Sequence, residues 1–338
     1  MPANFPSWTV TGQAAWEGYL ATTTLGIDPF AVVLDEQGHV VWYHPAAPEY
    51  TDIRLRFRQD KGGVLFAQHI LGNPDDPPVF DWLDWDGTTS HEDKIPGYTH
   101  DFIELSDGTL AFIQNDIRPF EPYEQEVWGN NLVERDDLGN ERIVWSTWDD
   151  WTPGIDGDVL DDGVWTHDNA LDLNAEETVY TLGSRDTSTI VQVDRVGSQR
   201  IWQLGGFQNN FPQTSVDDLP VHQHQFEWDG DRLVVFDNGR NAQTGSRLLE
   251  LSFDEAAQTA TSTCNWQRDP ATWAYVMGDV KRQVDGGLLA AFGTAGVLDD
   301  ISADGTVRWE LATPLGTAIG YLDWAESLPG VTRIRSSE

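Results

Sequence analysis

Apolar positions along the chain alternate with polar ones or form runs of four to six residues rich in Val, Ile, Leu, Phe and Trp. Turn-forming pairs such as Asp-Gly, Gly-Gly and Asn-Gly bound these runs, and the 3.6-residue spacing of amphipathic helices is almost missing. Alternation with a period of two assigns successive side chains to the two faces of a strand. The pattern therefore predicts an all-β protein.

Five segments of the chain share one form, in which a strand, a polar turn and a second hydrophobic strand follow one another. They are Ile53–Gln68, His100–Ile113, His167–Leu182, His224–Phe236 and Met277–Phe292. The unit recurs at an interval of about fifty-five residues, and a second hairpin follows each first one, most visibly where it ends at Trp145, Trp202 or Trp309. Because two hairpins make four antiparallel strands, each repeat predicts one blade of a β-propeller.

The repeats can be counted into six blades. Five are expected near 53–95, 98–147, 164–204, 221–268 and 274–311. A remaining second hairpin at Phe30–His44 lacks its first half, which Ala318–Leu328 and Trp16–Thr24 can supply together. The sequence thus predicts a six-bladed β-propeller of four-stranded antiparallel blades. Its last blade, 318–328 with 16–44, would close by pairing the two chain ends, and one domain would span residues 1–338.

Charge and composition narrow the partners that this domain could have. Acidic residues outnumber basic ones by 56 to 20, for a formal charge of −36 and a pI near 4.2. Because polyanions would be repelled, we expect no nucleic-acid partner. No run approaches the roughly eighteen apolar residues of a membrane span, so no membrane partner is expected. Met1–Pro6 lack signal-peptide features, which predicts a soluble, cytoplasmic protein as written, or an exported one if a leader was removed.

Histidines recur at the start of the predicted innermost strands. His100, His167 and His224 fall at one place in three repeats, and His222 lies two residues before the last of them. Because innermost strands line the central channel, we expect these side chains to converge at one rim. Arg185 follows the second strand of its repeat and is expected to reach the same rim, and Arg240 holds the same place in the next repeat.

A funnel of imidazoles and guanidiniums suits an oxyanion such as sulfate or phosphate, and neutral histidine can act as a nucleophile or general base near neutral pH. Three converging histidines could alternatively hold zinc or another transition metal, so a metal stays open although no cofactor is assigned. Tyr98, Trp165 and Tyr321 could stack on an aromatic substrate. For each residue a structural role, in packing or in a surface ion pair, is the alternative.

Two stretches connect the sequence to a known family. They are His222-Gln223-His224 followed by Leu233–Gly239, and Trp165–Asn169. In these the chain resembles the arylsulfotransferases, the aryl-sulfate-dependent sulfotransferases, which pair a Gln-His ending with a downstream Phe-Asp-Asn-Gly and place His-x-Asn ahead of another blade. The resemblance extends in form from about Asp28 to Leu328. It implies a six-bladed propeller with an active site in the central channel.

The resemblance also implies a chemistry. In this family a histidine takes the sulfuryl group from an aryl sulfate and passes it to a phenol, without the nucleotide donor phosphoadenosine phosphosulfate. Carried across by motif, His167 and His224 would hold sulfate oxygens or assist proton transfer, and Arg240 would clamp the sulfuryl group. We expect His222, Asn169 and Arg185 to contact the substrate, a small aromatic or sulfated molecule.

One position departs from the family pattern. The covalent histidine of the family should follow the strand Leu288–Phe292, where this chain reads Gly293-Thr294-Ala295-Gly296-Val297, and no histidine follows His224. Three alternatives are open. Either His100 or His224 serves as the nucleophile, or the histidines catalyse another reaction such as hydrolysis or elimination, or the propeller only binds a ligand.

Overall fold

The computed structural model describes residues 1–70 and 77–328, and the remainder of the expected single domain lies outside this part of the chain. The described part contains one short helix, Thr147–Asp150, one 3₁₀ turn, Gly293–Ala295, and twenty-five strands. The strands are β1 (Thr9–Gly12), β2 (Tyr19–Leu25), β3 (Phe30–Asp35), β4 (Val40–Pro45), β5 (Asp52–Phe57), β6 (Gly63–His69), β7 (Val79–Asp84), β8 (Thr89–Lys94), β9 (Tyr98–Glu104), β10 (Leu110–Arg118), β11 (Val127–Arg135), β12 (Glu141–Ser146), β13 (Asp168–Leu173), β14 (Val179–Ser184), β15 (Thr189–Asp194), β16 (Gln199–Gly205), β17 (Phe226–Asp229), β18 (Arg232–Asp237), β19 (Arg247–Asp254), β20 (Thr259–Gln267), β21 (Asp279–Arg282), β22 (Leu288–Phe292), β23 (Val297–Ile301), β24 (Val307–Ala312) and β25 (Ala318–Ala325). Neither helical segment is long and apolar enough to cross a membrane.

The strands form six antiparallel sheets, each built on four strands. Blades 1 to 5 are β5–β8, β9–β12, β13–β16, β17–β20 and β21–β24. Blade 6 has the order β25-β2-β3-β4, and its register runs from Leu25 opposite Ala318 to Tyr19 opposite Ala325. The prediction of an all-β six-bladed propeller closed by both chain ends is confirmed.

Blade 5 carries a fifth strand that the sequence pattern did not indicate. β1 pairs antiparallel with β24, with Thr9 opposite Ala312 and Gly12 opposite Trp309. All four residues of β1 are exposed, so the strand has no buried face to give an alternating signal. A second segment from the N-terminal region is thereby joined to the C-terminal part of the ring.

Six apolar clusters hold the ring together, and each one lies between two neighbouring blades. Strand β18 illustrates the reason. Leu233 and Val235 pack into the cluster shared with blade 3, whereas Val234 and Phe236 pack into the cluster shared with blade 5. Because alternate side chains leave opposite faces of a sheet, a blade that is buried on both faces needs an apolar residue at every position.

The central channel is lined by the innermost strand of each blade, namely β5, β9, β13, β17, β21 and, in blade 6, the C-terminal β25. Each of these strands contacts the corresponding strand of both neighbouring blades, so they form a closed ring. Residues near the beginning of these strands therefore meet around one axis although they are far apart in sequence.

Candidate active site

Near the beginning of five inner strands lies a residue in the left-handed backbone conformation. The φ angles are 58° at His100, 54° at His167 and 51° at His222, and Met277 and Tyr321 share the conformation in the following blades. A residue with a Cβ adopts this conformation at a cost of about 1–2 kcal/mol, and such strain is concentrated at functional sites. The backbone thus aligns His222, rather than His224, with His100 and His167.

His100 and His167 are in direct contact. Their Nε2 atoms are 3.1 Å apart, so one ring donates a hydrogen bond to the other, and the Nδ1 of His100 is 2.6 Å from the hydroxyl of Thr99. Only 9% of His100 is exposed. Burial, followed by the charges of His167, His69, His224 and Arg185, holds the pKa of His100 well below its ordinary value. His100 is therefore neutral at physiological pH.

His167 is more accessible than His100, with 29% of its side chain exposed. Its Nδ1 is 3.3 Å from a carboxylate oxygen of Asp186, and Nη1 of Arg185 donates to the other oxygen at 2.6 Å. Burial opposes ionisation of Asp186, but the hydrogen bond and charge of His167, together with Arg185, lower the pKa of this carboxyl. A carboxylate beside Nδ1 favours the tautomer of His167 that has its proton on Nδ1 and its lone pair on Nε2.

His224 and His222 complete the cluster. Burial lowers the pKa of His224 to about 3, with Arg185 and His167 adding to the effect and Asp101 opposing it. Only 3% of His224 is exposed, and its ring centroid is 5.6 Å from that of Tyr321. Burial and then Arg185 also lower the pKa of the half-buried His222. Arg185 is thus the cation that acts on His100, His222 and His224 alike.

Backbone contacts hold Arg185 and Asp186 at the rim. The amides of Arg185 and Asp186 donate to the carbonyls of His167 and Thr166 at 3.1 and 3.2 Å. The buried side chain of Gln223 donates to the carbonyls that flank this turn, Ser184 at 3.1 Å and Thr189 at 2.7 Å. The Gln-His motif therefore positions the arginine of the preceding blade.

Arg240 lies elsewhere than the motif led us to expect. Its side chain is exposed, and within the described residues it makes no hydrogen bond or ion pair. It lies in the long connection between β18 and β19, whereas Arg185 lies in the short turn between β14 and β15. The structure brings Arg185 to the histidines and leaves Arg240 outside the cluster, so a clamping role for Arg240 stays a prediction.

The remaining predicted residues are buried. Trp165 packs on Trp148 with ring centroids 5.2 Å apart and belongs to the core between blades 2 and 3. The amide nitrogen of Asn169 donates to the carbonyl of Gln223 at 3.0 Å, which links neighbouring blades. Tyr98 and Tyr321 are almost fully buried, with their rings 5.4 Å from His69 and 5.6 Å from His224, respectively. None of these contacts tests a role in substrate binding.

Sequence reasoning missed His69 and Asp186. His69 ends β6 and its ring centroid is 6.5 Å from that of His100, so it joins the cluster from blade 1. Its position corresponds to that of Arg185, because both come at the end of the second strand of a blade. Asp186 directly follows Arg185, and this adjacency was the available signal. Within the described residues, no group of three or more His, Cys, Asp or Glu is arranged to hold a metal ion.

A family model described as Arylsulfotransferase (ASST) matches residues 13–315. The chain belongs to the arylsulfotransferase family. This agrees with the resemblance drawn from the two short motifs, and it extends that resemblance over most of the sequence. No protein with a curated description matches this arylsulfotransferase-family chain.

Solved structures similar to this family member are propellers of low sequence identity. A protein of unknown function from Bacteroides caccae is 12% identical, with a TM-score of 0.58, and the match covers 91% of this chain and 98% of that chain. The nidogen/laminin complex contains a chain that is 9% identical, with a TM-score of 0.55 and coverage of 92% and 100%. A periplasmic gluconolactonase of Pseudomonas aeruginosa is 12% identical, with a TM-score of 0.50 and coverage of 92% and 100%. At these identities the similarity concerns the fold alone.

Proposed function

We propose that this protein is an arylsulfotransferase-like enzyme that transfers or removes the sulfuryl group of an aryl sulfate at the histidine rim. Family membership suggests the reaction class. The observation that carries the proposal for this chain is that one arginine, Arg185, acts on several neutral histidines that come from different blades. Such a cluster offers both hydrogen-bond donors for sulfuryl oxygens and an uncharged nucleophile.

Arg185 is the residue that we assign to the sulfuryl oxygens. Its Nη1 is held by Asp186, while its Nε is buried without a hydrogen-bond partner. A buried guanidinium N–H that lacks a partner is costly, and a bound oxyanion would satisfy it. The same contact would strengthen as charge develops on the departing group, which is how a positioned cation accelerates transfer.

His167 is the histidine that we assign to the reacting sulfur. His100 and His224 are almost fully buried, whereas His167 is partly exposed and its Nδ1 lies 3.3 Å from Asp186. The contact between Nε2 of His167 and Nε2 of His100 has to open before that nitrogen can react. In transfer, Nε2 of His167 bonds to sulfur as the sulfur–oxygen bond to the aryl group breaks and the aryloxide leaves. A phenol oxygen then takes the sulfuryl group, and its proton goes to a neighbouring histidine. His100 and His224, the nucleophiles considered from the sequence, remain the alternatives.

The test is a transfer assay with a nitrophenyl sulfate as donor and a phenol as acceptor. Release of nitrophenolate is followed by absorbance, and the sulfated acceptor is identified by mass spectrometry. Arg185→Gln is expected to lower kcat/KM by about 10²–10³-fold, the cost of removing one preorganised oxyanion contact. His167→Gln is expected to abolish transfer. Arg142→Gln is the matched control, because Arg142 lies on the outermost strand of blade 2 and pairs with Glu134.

Each result separates the alternatives. Release of nitrophenolate no faster than in buffer would reject sulfuryl transfer. If Arg240→Gln loses all transfer activity while Arg185→Gln keeps normal activity, then Arg240, the arginine at the family-motif position, binds the sulfuryl group. Nitrophenolate release without a sulfated phenol would indicate hydrolysis, in which His167 acts as a base on water.

A further inference from the structure

Next to the histidine cluster lies a group of five buried polar side chains. We call this group the inner chamber; it consists of Asp52, Arg54, His69, Tyr98 and Tyr321. All five are buried, and Arg54 is only 1% exposed. They come from blades 1, 2 and 6, whereas the residues assigned above to sulfuryl transfer, Arg185 and His167, belong to blade 3.

The members of the inner chamber are in contact with one another. The guanidinium carbon of Arg54 lies 4.3 Å from the ring centroid of Tyr321, and the Tyr321 hydroxyl hydrogen-bonds with Asp52. A carboxylate oxygen of Asp52 is 3.7 Å from Nδ1 of His69. The ring centroids of His69 and Tyr98 are 5.4 Å apart. The five side chains therefore form one connected group.

Most of the polar atoms in this group have no protein partner. Among the described residues, Nη1 and Nη2 of Arg54, Nε2 of His69, the Tyr98 hydroxyl and one Asp52 oxygen are buried without a hydrogen bond. The adjoining Nδ1 of His224 is also buried without a hydrogen bond to any described residue. A buried polar group without a partner costs about 1–3 kcal/mol, and more when it is charged. A polar guest placed among these atoms would satisfy several of them at once.

The charges favour an anion as that guest. The carboxylate of Asp101 accepts hydrogen bonds from Nε of Arg54 at 2.8 Å and from Nη2 of Arg56 at 3.1 Å. Two guanidiniums therefore share one ionised carboxylate. Asp52 is the carboxyl that faces the chamber, and burial raises its pKa to about 7, so below that pH it is mostly a neutral donor. Asp279, which also attracts Arg54, has a raised pKa because of burial. The unpartnered atoms of Arg54, His69 and Tyr98 are then all donors.

We propose that the inner chamber is a second anion site, which binds a small tetrahedral oxyanion through Arg54, Tyr98 and His69. The two free Nη atoms of Arg54 form a fork that matches two oxygens of such an ion. The hydroxyl of Tyr98 and Nε2 of His69 donate to the remaining oxygens. His100, which contacts His69 on one side and His167 on the other, connects this site to the rim.

The experiment is calorimetric titration of the purified protein with sodium sulfate at about pH 6, against sodium chloride of equal ionic strength. Tyr98→Phe and His69→Phe each remove one donor and are expected to weaken sulfate binding by about tenfold, as the loss of one hydrogen bond to a charged group predicts. Tyr180→Phe is the matched control, because it deletes an equally buried hydroxyl that donates to Glu134 at 2.7 Å in the interface between blades 2 and 3.

Sulfate binding at the rim is distinguished from sulfate binding in the inner chamber by repeating the titrations with the Arg185→Gln variant. Sulfate binding that survives this change and is weakened further by Tyr98→Phe supports the proposal. No saturable heat beyond the chloride blank, or curves for Tyr98→Phe and His69→Phe that superimpose on wild type, would overturn it. Thermal melting of each variant without sulfate checks that it is folded. Because no turnover is measured, failure of the transfer assay and failure of the anion site are independent results.

Discussion

Replacement of Asp168 by Asn should abolish a large part of the pH dependence of stability. Asp168 follows His167 directly and is fully buried, and its Oδ1 accepts a hydrogen bond from the Ser184 hydroxyl at 2.5 Å. Its Oδ2 is buried without a partner. Burial raises the pKa of Asp168 from its ordinary value of 3.8 to about 7, against the hydrogen bonds from Ser184 and Thr166. The folded protein therefore keeps a proton that the unfolded chain releases.

The sign and size of the effect follow from this difference. Above about pH 4 the unfolded chain gains free energy by ionising Asp168, while the folded protein does not ionise it until about pH 7. Stability is thus lost as the pH rises through this interval. At about 1.4 kcal/mol for each tenfold change in proton affinity, the full loss is about 4 kcal/mol. Roughly 2.5 kcal/mol of it falls between about pH 5 and pH 8.

The measurement is urea unfolding of wild type and Asp168→Asn at about pH 5 and pH 8, both above the sequence pI of about 4.2. Asn cannot ionise and keeps the oxygen that accepts from Ser184. The variant is therefore expected to gain roughly 2.5 kcal/mol relative to wild type between the two pH values. Asp137→Asn is the control, since it makes the same charge change at an exposed residue. A difference that is the same at both pH values would refute the buried, protonated state of Asp168.

Two further substitutions test packing and aromatic recognition. Gly278→Ala should lower the free energy of unfolding in urea by about 1–3 kcal/mol, because a Cβ there would collide with the Phe236 ring. Gly108→Ala is the control and should lower it less, because Gly108 also has a positive φ but no atom close to the added Cβ. The ring of the exposed Tyr275 has its centroid 5.7 Å from the guanidinium carbon of Arg185, and it would bind the aryl group equally in the ground and transition states. Tyr275→Ala should therefore raise KM for an aryl sulfate several-fold with little change in kcat. An unchanged KM would remove Tyr275 from the substrate site.

The blade architecture was readable from the sequence because each blade buries both faces. Strand β18 shows this, because its four consecutive residues Leu233–Phe236 are all packed in apolar clusters. The four-stranded unit also recurs often enough to be counted. The closure of blade 6 was readable for the same reason, since half a repeat was left at each end of the chain. β1 could not be found in this way, because an exposed edge strand is selected by backbone pairing and not by hydrophobicity.

The candidate site was only partly predictable, because a sequence position does not fix where a long side chain ends. Arg185 and Arg240 both follow the second strand of a blade, Arg185 directly and Arg240 after two intervening residues, and they end in different surroundings. The turn between β14 and β15 has only four residues and pairs with the chain at His167, so it holds Arg185 inward. The connection between β18 and β19 is longer, and Arg240 extends into solvent. Loop length, which the repeat alignment treated as neutral, decides which arginine meets the histidines.

The position where the family's covalent histidine would be expected leaves no room for a larger side chain. At Gly293 a Cβ would meet the backbone of Val276 at 2.5 Å and the side chain of Met277 at 2.7 Å, so this part of the rim has no room for a larger residue. Met277 holds in blade 5 the left-handed position that His100, His167 and His222 hold in blades 2 to 4. Blade 5 therefore presents a thioether where blades 2 to 4 present imidazoles. A search for a covalently modified residue should begin on the side of the rim that carries Arg185 and His167, where we propose the sulfuryl group binds.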